Sequence, residues 1–140
     1  MSSILTLHND VKDVSLLPAW LDTLADELAL PPDAVMRLNL ALEEAAVNVM
    51  EYAYPKTENH EFTITSHNVT DNDGKRVVEF VMTDDGVEFD PTKTQAPDVT
   101  LSIEDRPIGG LGIFLVKSMM KQVEYCRKDG KNILTMRFEY

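Results

Sequence analysis

Two aspartate-glycine pairs, Asp73-Gly74 and Asp129-Gly130, each stand between short apolar runs, and they constrain this chain more than any other feature. Such a pair is the strongest short-range hairpin signal, because a tight turn between twisted strands needs residues that tolerate positive φ. Asn72-Asp73-Gly74 separates Phe62, Ile64 and His67 from Val77 to Met82. Asp129-Gly130 separates Val123 to Cys126 from Ile133 to Phe138. Ile4, Leu5 and Leu7 predict one further strand at the start of the chain.

Helical periodicity fills the space between. Leu16, Leu17, Trp20, Leu21, Leu24 and Leu28 fall at three- and four-residue intervals, which predicts an amphipathic helix over Ser15 to Leu30 with Pro18 in its first turn. Pro31-Pro32-Asp33 ends it and opens a second helix, expected from Asp33 to Tyr54, where Pro55 blocks continuation. A third begins at Ile113. The region from about Pro91 to Gly110 carries Pro91, Pro97 and Pro107 and little periodicity, and reads as a long loop of the functional kind. The order β-α-α-β-β-loop-α-β-β predicts an α+β fold, a two-layer sandwich with a mostly antiparallel sheet, rather than an alternating βαβ domain.

With 140 residues the chain has the size of one domain, residues 1–140. The charge of −11, from 24 acidic and 13 basic residues, argues against nucleic acid, whose recognition relies on clustered Lys and Arg. No apolar run reaches the length of a membrane span. A single cysteine, Cys126, has no internal disulfide partner and fits a cytoplasmic location. His8, His60 and His67 lack metal-ligand spacing, and neither Cys-x-x-Cys nor Gly-x-Ser-x-Gly occurs.

Three segments offer chemistry. On the second helix Val35, Leu38, Leu42, Ala45, Ala46 and Val49 share one stripe, and Glu44 and Asn48 project from another side, one turn apart. They fit a solvated polar pair, or an oxygen ligand for magnesium beside a carboxylate that accepts a proton. Asp84, followed by Asp85-Gly86, ends an apolar strand. It fits a plain turn, or a carboxylate that accepts a hydrogen bond from the exocyclic amine of adenine. Gly109-Gly110-Leu111-Gly112 leads into Ile113-Phe114-Leu115-Val116. It fits a flexible turn, or backbone N–H groups facing an anion at a helix start. It matches neither the P-loop nor the dinucleotide fingerprint.

Together these segments resemble the Bergerat-fold (GHKL) ATPases, and within them the small bacterial anti-sigma-factor serine kinases. Leu42-Glu43-Glu44-Ala45-Ala46-Val47-Asn48 with Tyr52-Ala53-Tyr54-Pro55 resembles their N-box, Asp84 to Pro91 their first glycine box, and Arg106 to Val116 their second. The resemblance implies Asn48 as the magnesium ligand and Glu44 as general base. It implies Asp84 and Gly86 on adenine, Gly110, Leu111 and Gly112 on phosphates, Arg106 on the terminal phosphate, and a lid over about 91–110. It further implies ATP and Mg2+ as cofactors and transfer of the γ-phosphate to a serine of a STAS-domain anti-sigma-factor antagonist. A sigma factor and a second copy of the chain are further partners of this kind. The alternative is a nucleotide-regulated module that sequesters a regulator without transfer. Tyr52 takes a place often held by histidine, Glu88 replaces a glycine, and Lys121-Gln122 stands where many relatives carry an acidic pair.

Overall fold

A computed structural model describes residues 2–93 and 110–140. The order of elements follows the sequence reading: β1 (Ser2–His8), α1 (Leu17–Leu28), α2 (Pro32–Tyr52), β2 (Glu61–Thr70), β3 (Arg76–Asp84), α3 (Gly110–Met119), β4 (Gln122–Lys128) and β5 (Lys131–Glu139). Two short 3-10 turns, Val11–Leu16 and Pro91–Lys93, add to these.

The strands form one sheet in the order β1-β2-β3-β5-β4, with every neighbouring pair antiparallel. Both hairpins turn where the glycines stand. Gly74 has φ of 77°, while Asp129 and Gly130 take φ of 53° and 76°, the pair of positive angles a two-residue hairpin turn requires. In the longer turn, Asp71 Oδ1 accepts from the N–H groups of Asp73 and Lys75, both at 2.9 Å.

Alternation along the strands sends one face inward. Phe62 and Ile64 of β2, Val78, Phe80 and Met82 of β3, and Leu134, Met136 and Phe138 of β5 are buried, and the helices supply Leu17, Leu21, Leu24, Leu38, Leu42, Ile113 and Val116 to the same core. The α+β two-layer sandwich is therefore as expected. Four alanines on the buried side of α2, Ala34, Ala41, Ala45 and Ala46, let that helix lie close to its neighbours.

Helix boundaries moved where local chemistry outweighs periodicity. Asp10 accepts from the Lys12 N–H at 3.0 Å and starts a 3-10 turn, so the α-helix begins at Leu17 rather than Ser15. Leu16 is then 44% exposed, outside the stripe to which periodicity assigned it. At the other end Ala29 adopts a left-handed φ of 56°, and the Arg76 guanidinium bonds the Leu28 carbonyl, placing a cation on the negative end of the helix dipole. The third helix starts at Gly110, three residues before the expected Ile113. Of the expected lid, residues 94–109 lie outside the described residues.

Candidate functional site

Asp84 is the last residue of β3, the strand with neighbours on both sides at the centre of the sheet. Alternation points it to the helix-covered face, where it is 5% exposed. Its Oδ1 accepts from the Gly86 N–H and from Asn132 Nδ2, both at 2.9 Å. Burial holds its carboxyl above the ordinary range, opposed by the hydrogen bonds from Asn132 and Gly86 and by the charge of Arg127.

Gly86 is demanded by a close approach of two backbones. A Cβ there would lie 2.2 Å from the Ala53 carbonyl oxygen at the end of α2, and the next residue seals the contact, with Val87 N–H donating to Ala53 O at 2.8 Å. Tyr54 secures the same turn: its hydroxyl donates to Asp85 Oδ1 at 2.7 Å and accepts from the Asp85 N–H at 3.0 Å. Burial and this bond to a carboxylate raise the Tyr54 pKa.

Of the two readings of Asn48, the solvated polar pair does not hold. It is buried, 4% exposed, and not on a solvated face. Asn48, Ala45 and Val49 of α2 line a cleft with Met82, Asp84, Phe89, Pro91, Tyr125, Asn132 and Leu134. Every fully buried side-chain nitrogen and oxygen among the described residues has a hydrogen-bond partner. The Asn48 amide and Asp84 Oδ2 have none among those residues, so neither is fully buried, and both residues line the cleft. Glu44 lies one turn before Asn48 on α2 and is half-buried. The structure thus brings Asn48, Asp84 and Gly86 together around the turn after β3, with Glu44 one turn along the helix.

The glycine segment begins a helix that packs on α2. Gly110, Leu111 and Gly112 occupy the first turn of α3, where backbone N–H groups have no partner inside the helix. Arg106 and Gly109 lie outside the described residues. The cleft holds about 20 Å³ of free space, room for about one water. Its lining includes Phe89, whose ring stacks on Tyr52 at 4.9 Å between centroids. A larger open depression of about 630 Å³ lies elsewhere, between the end of β1 and the loop after α2.

Sequence reasoning missed Asn132. It is 5% exposed, pairs with Asp84 across β3 and β5, and donates to both Asp84 and the Val87 carbonyl, the latter at 2.7 Å. The only sequence signal was its place just after the Asp129-Gly130 turn. Lys121 has a structural occupation: it bonds Asp71 at 2.8 Å and Glu139 at 2.9 Å, which ties the start of β4 to the β2–β3 turn.

An antiparallel sheet covered by helices, a carboxylate at the end of a central strand facing a helix-borne asparagine, and a glycine-rich helix start together define an ATPase domain of the histidine kinase-like class. The chain belongs to that family: the model of the histidine kinase-like ATPase domain matches residues 7–138. A serine/threonine-protein kinase of Bordetella bronchiseptica, BtrW, is 32% identical over 99 residues, which covers 71% of this chain and 66% of that protein. The serine-protein kinase RsbW of Bacillus cereus is 24% identical over 129 residues, covering 89% of this chain and 77% of that one. The solved RsbU and RsbW domains of Rv1364c from Mycobacterium tuberculosis superpose with a TM-score of 0.65 at 13% identity, covering 99% of this chain and 32% of that one. No helix among the described residues is long and apolar enough to cross a membrane.

Proposed function

We propose that the chain, acting as a single domain, is a Mg-ATP-dependent serine/threonine protein kinase of the anti-sigma-factor type. It would transfer the ATP γ-phosphate to a serine of a STAS-domain antagonist. The observation that carries this reading is the convergence of Asp84 and Asn48 on one cleft, each buried and each with a polar atom free of protein partners among the described residues. Both residues are almost wholly buried yet keep a polar atom that is accessible and unpaired, an arrangement that suits a polar ligand entering the cleft.

In this reading Asp84 Oδ2 accepts from the adenine amine, and Gly86 leaves the base room. The first turn of α3, with Gly110, Leu111 and Gly112, faces the phosphates, and Arg106 reaches the terminal one. Among the described residues no group of three or more His, Cys, Asp or Glu side chains could hold a metal. The Asn48 amide oxygen, with water and phosphate oxygens, fits the oxygen-rich shell magnesium takes. Bound magnesium neutralises charge on the phosphates. Glu44 takes the proton from the acceptor serine as its Oγ bonds the γ-phosphorus, the bond from that phosphorus to the β–γ bridging oxygen breaks, and ADP departs. The location this requires is the cytoplasm, with a sigma factor and a second copy of the chain as further partners.

The test is phosphate transfer from labelled ATP to a STAS-domain protein of the same genome. Glu44→Gln should slow transfer by roughly 10²- to 10⁴-fold while ATP binding stays within about threefold of the parent. Transfer at the parent rate would refute Glu44 as the base. Capture of the partner by both proteins with no transfer by either would favour the sequestering module.

A further inference from the structure

We infer that Asn132 is the residue that sets the base specificity of the cleft, by holding Asp84 in one orientation. The inference rests on the reading of the cleft as an ATP site.

Asn132 has no capacity left for a ligand. Its Nδ2 hydrogens go to Asp84 Oδ1 at 2.9 Å and Val87 O at 2.7 Å. Its Oδ1 accepts three donors: the Tyr125 hydroxyl at 2.6 Å, the Arg127 guanidinium at 3.1 Å and the Phe89 N–H at 3.2 Å. These contacts decide which end of the amide is oxygen. Reversal would face NH₂ toward two obligate donors and oxygen toward the Asp84 carboxylate and the Val87 carbonyl. Arg127 also bonds the Gly86 carbonyl at 2.9 Å, so one guanidinium clamps both Asn132 and the turn after Asp84.

The consequence falls on Asp84. With Oδ1 occupied by Gly86 and Asn132, the carboxylate cannot rotate without breaking two bonds, and Oδ2 stays fixed as an acceptor toward the cleft. A fixed acceptor matches the exocyclic amine of adenine and opposes the carbonyl that hypoxanthine carries at the same position. Rejection of the wrong base then comes from a held acceptor facing an acceptor. Asn132 is a positioning residue: it acts on the base through Asp84.

Calorimetry with ATP and ITP, which differ in the C6 substituent and in the proton that ITP carries on the adjacent N1, tests this on the full chain with magnesium. The parent should prefer ATP. Asn132→Ala should lower the ratio of ATP to ITP affinity about tenfold or more, the scale of one hydrogen bond to a charged group. Tyr125→Phe deletes a single hydroxyl from a half-buried site, leaves the fold in place, and should lower the ratio about threefold. A merely structural role would weaken both nucleotides alike. An unchanged ratio in Tyr125→Phe, or in a folded Asn132→Ala, overturns the inference and leaves ATP binding standing. So does equal binding of the two nucleotides by the parent. A parent that binds neither removes the ATP reading and this inference with it.

Discussion

Gly86→Ala tests the most sharply defined contact in the molecule. The added methyl carbon would sit 2.2 Å from Ala53 O, 2.7 Å from its carbonyl carbon and 2.8 Å from its Cβ. Two of these are backbone atoms at the end of α2, so no side-chain rotation relieves the overlap. The turn has to lift away from the helix. Lifting breaks the Val87–Ala53 hydrogen bond of 2.8 Å and pulls the Gly86 N–H off Asp84. Overpacking costs about 1–3 kcal/mol, and each of the two lost bonds adds about 1 kcal/mol, so the sum is about 3–5 kcal/mol. At roughly 3 °C per kcal/mol for a chain of this size, thermal unfolding should move down by about 9–15 °C. ATP affinity should fall as well, since Asp84 loses one of the two donors that fix it. Gly74→Ala separates crowding from backbone conformation. Its φ is 77° and nothing lies within 4 Å of its added Cβ, so only about 1 kcal/mol of conformational cost applies. A Gly86→Ala protein that melts within about 1 °C of the parent would refute the reasoning, because the overlap would then be relieved at no cost.

Two further substitutions probe the charges. Asp84→Asn keeps Oδ1 for the donors from Gly86 and Asn132 but puts an NH₂ where Oδ2 stood, so a donor would face the adenine amine. ATP affinity, read by calorimetry, should fall about 10-fold or more, while the ligand-free protein at pH 7 should melt no lower than the parent. The sign follows from burial: the Asp84 pKa is raised above its ordinary value of 3.8, so its favourable contribution is present below that value and lost as pH rises through the folded pKa. A clearly lower melting point would contradict the raised pKa. His8→Asn addresses the turn after β1, where His8 Nδ1 meets Asp13 at 2.9 Å and Nε2 meets Glu61 at 3.2 Å. The bond to Asp13 raises the His8 pKa from 6.5, so this contact stabilises at acid pH and fades as pH rises through the folded value. The difference in melting temperature between parent and variant should shrink between pH 6 and pH 8. A constant difference would remove the ionic part of the contact.

The order of the elements was legible because each rests on a local rule: glycine turns for the hairpins, three- and four-residue spacing for the helices, Pro55 for the end of α2. The errors arose where a rule acts through space. Asp10 turns the chain into a 3-10 segment before α1, and periodicity has no term for that bond. The solvated alternative for Asn48 arose because helical angle alone sets it apart from the apolar stripe. Residues from β3 and β5, and the turn between β3 and Pro91, close over it, and spacing within the helix cannot foresee them. Asn132 was invisible for a deeper reason. It sits between Lys131 and Ile133 in an ordinary strand pattern, and only the pairing of β3 with β5 puts it opposite Asp84.

The position of that pair explains why a site forms here. Asp84 and Asn132 are the last partners in the ladder between β3 and β5, so beyond them the chain leaves the sheet and its backbone groups need new partners. Asn132 supplies two of these, accepting from the Phe89 N–H and donating to the Val87 carbonyl. The polar groups that shape the cleft thereby also satisfy the turn that forms its wall. The buried polar or charged residues of the described chain are Asn48, Ser66, Asp84 and Asn132, and three of the four meet at this one place. Apolar residues of similar size would pack a core at least as well, and scattered polar residues would confer no common recognition. Concentrating them where the ladder ends leaves the Asn48 amide and Asp84 Oδ2 unpaired at one cleft, and any ligand that paired them there would bind the folded state alone and stabilise it.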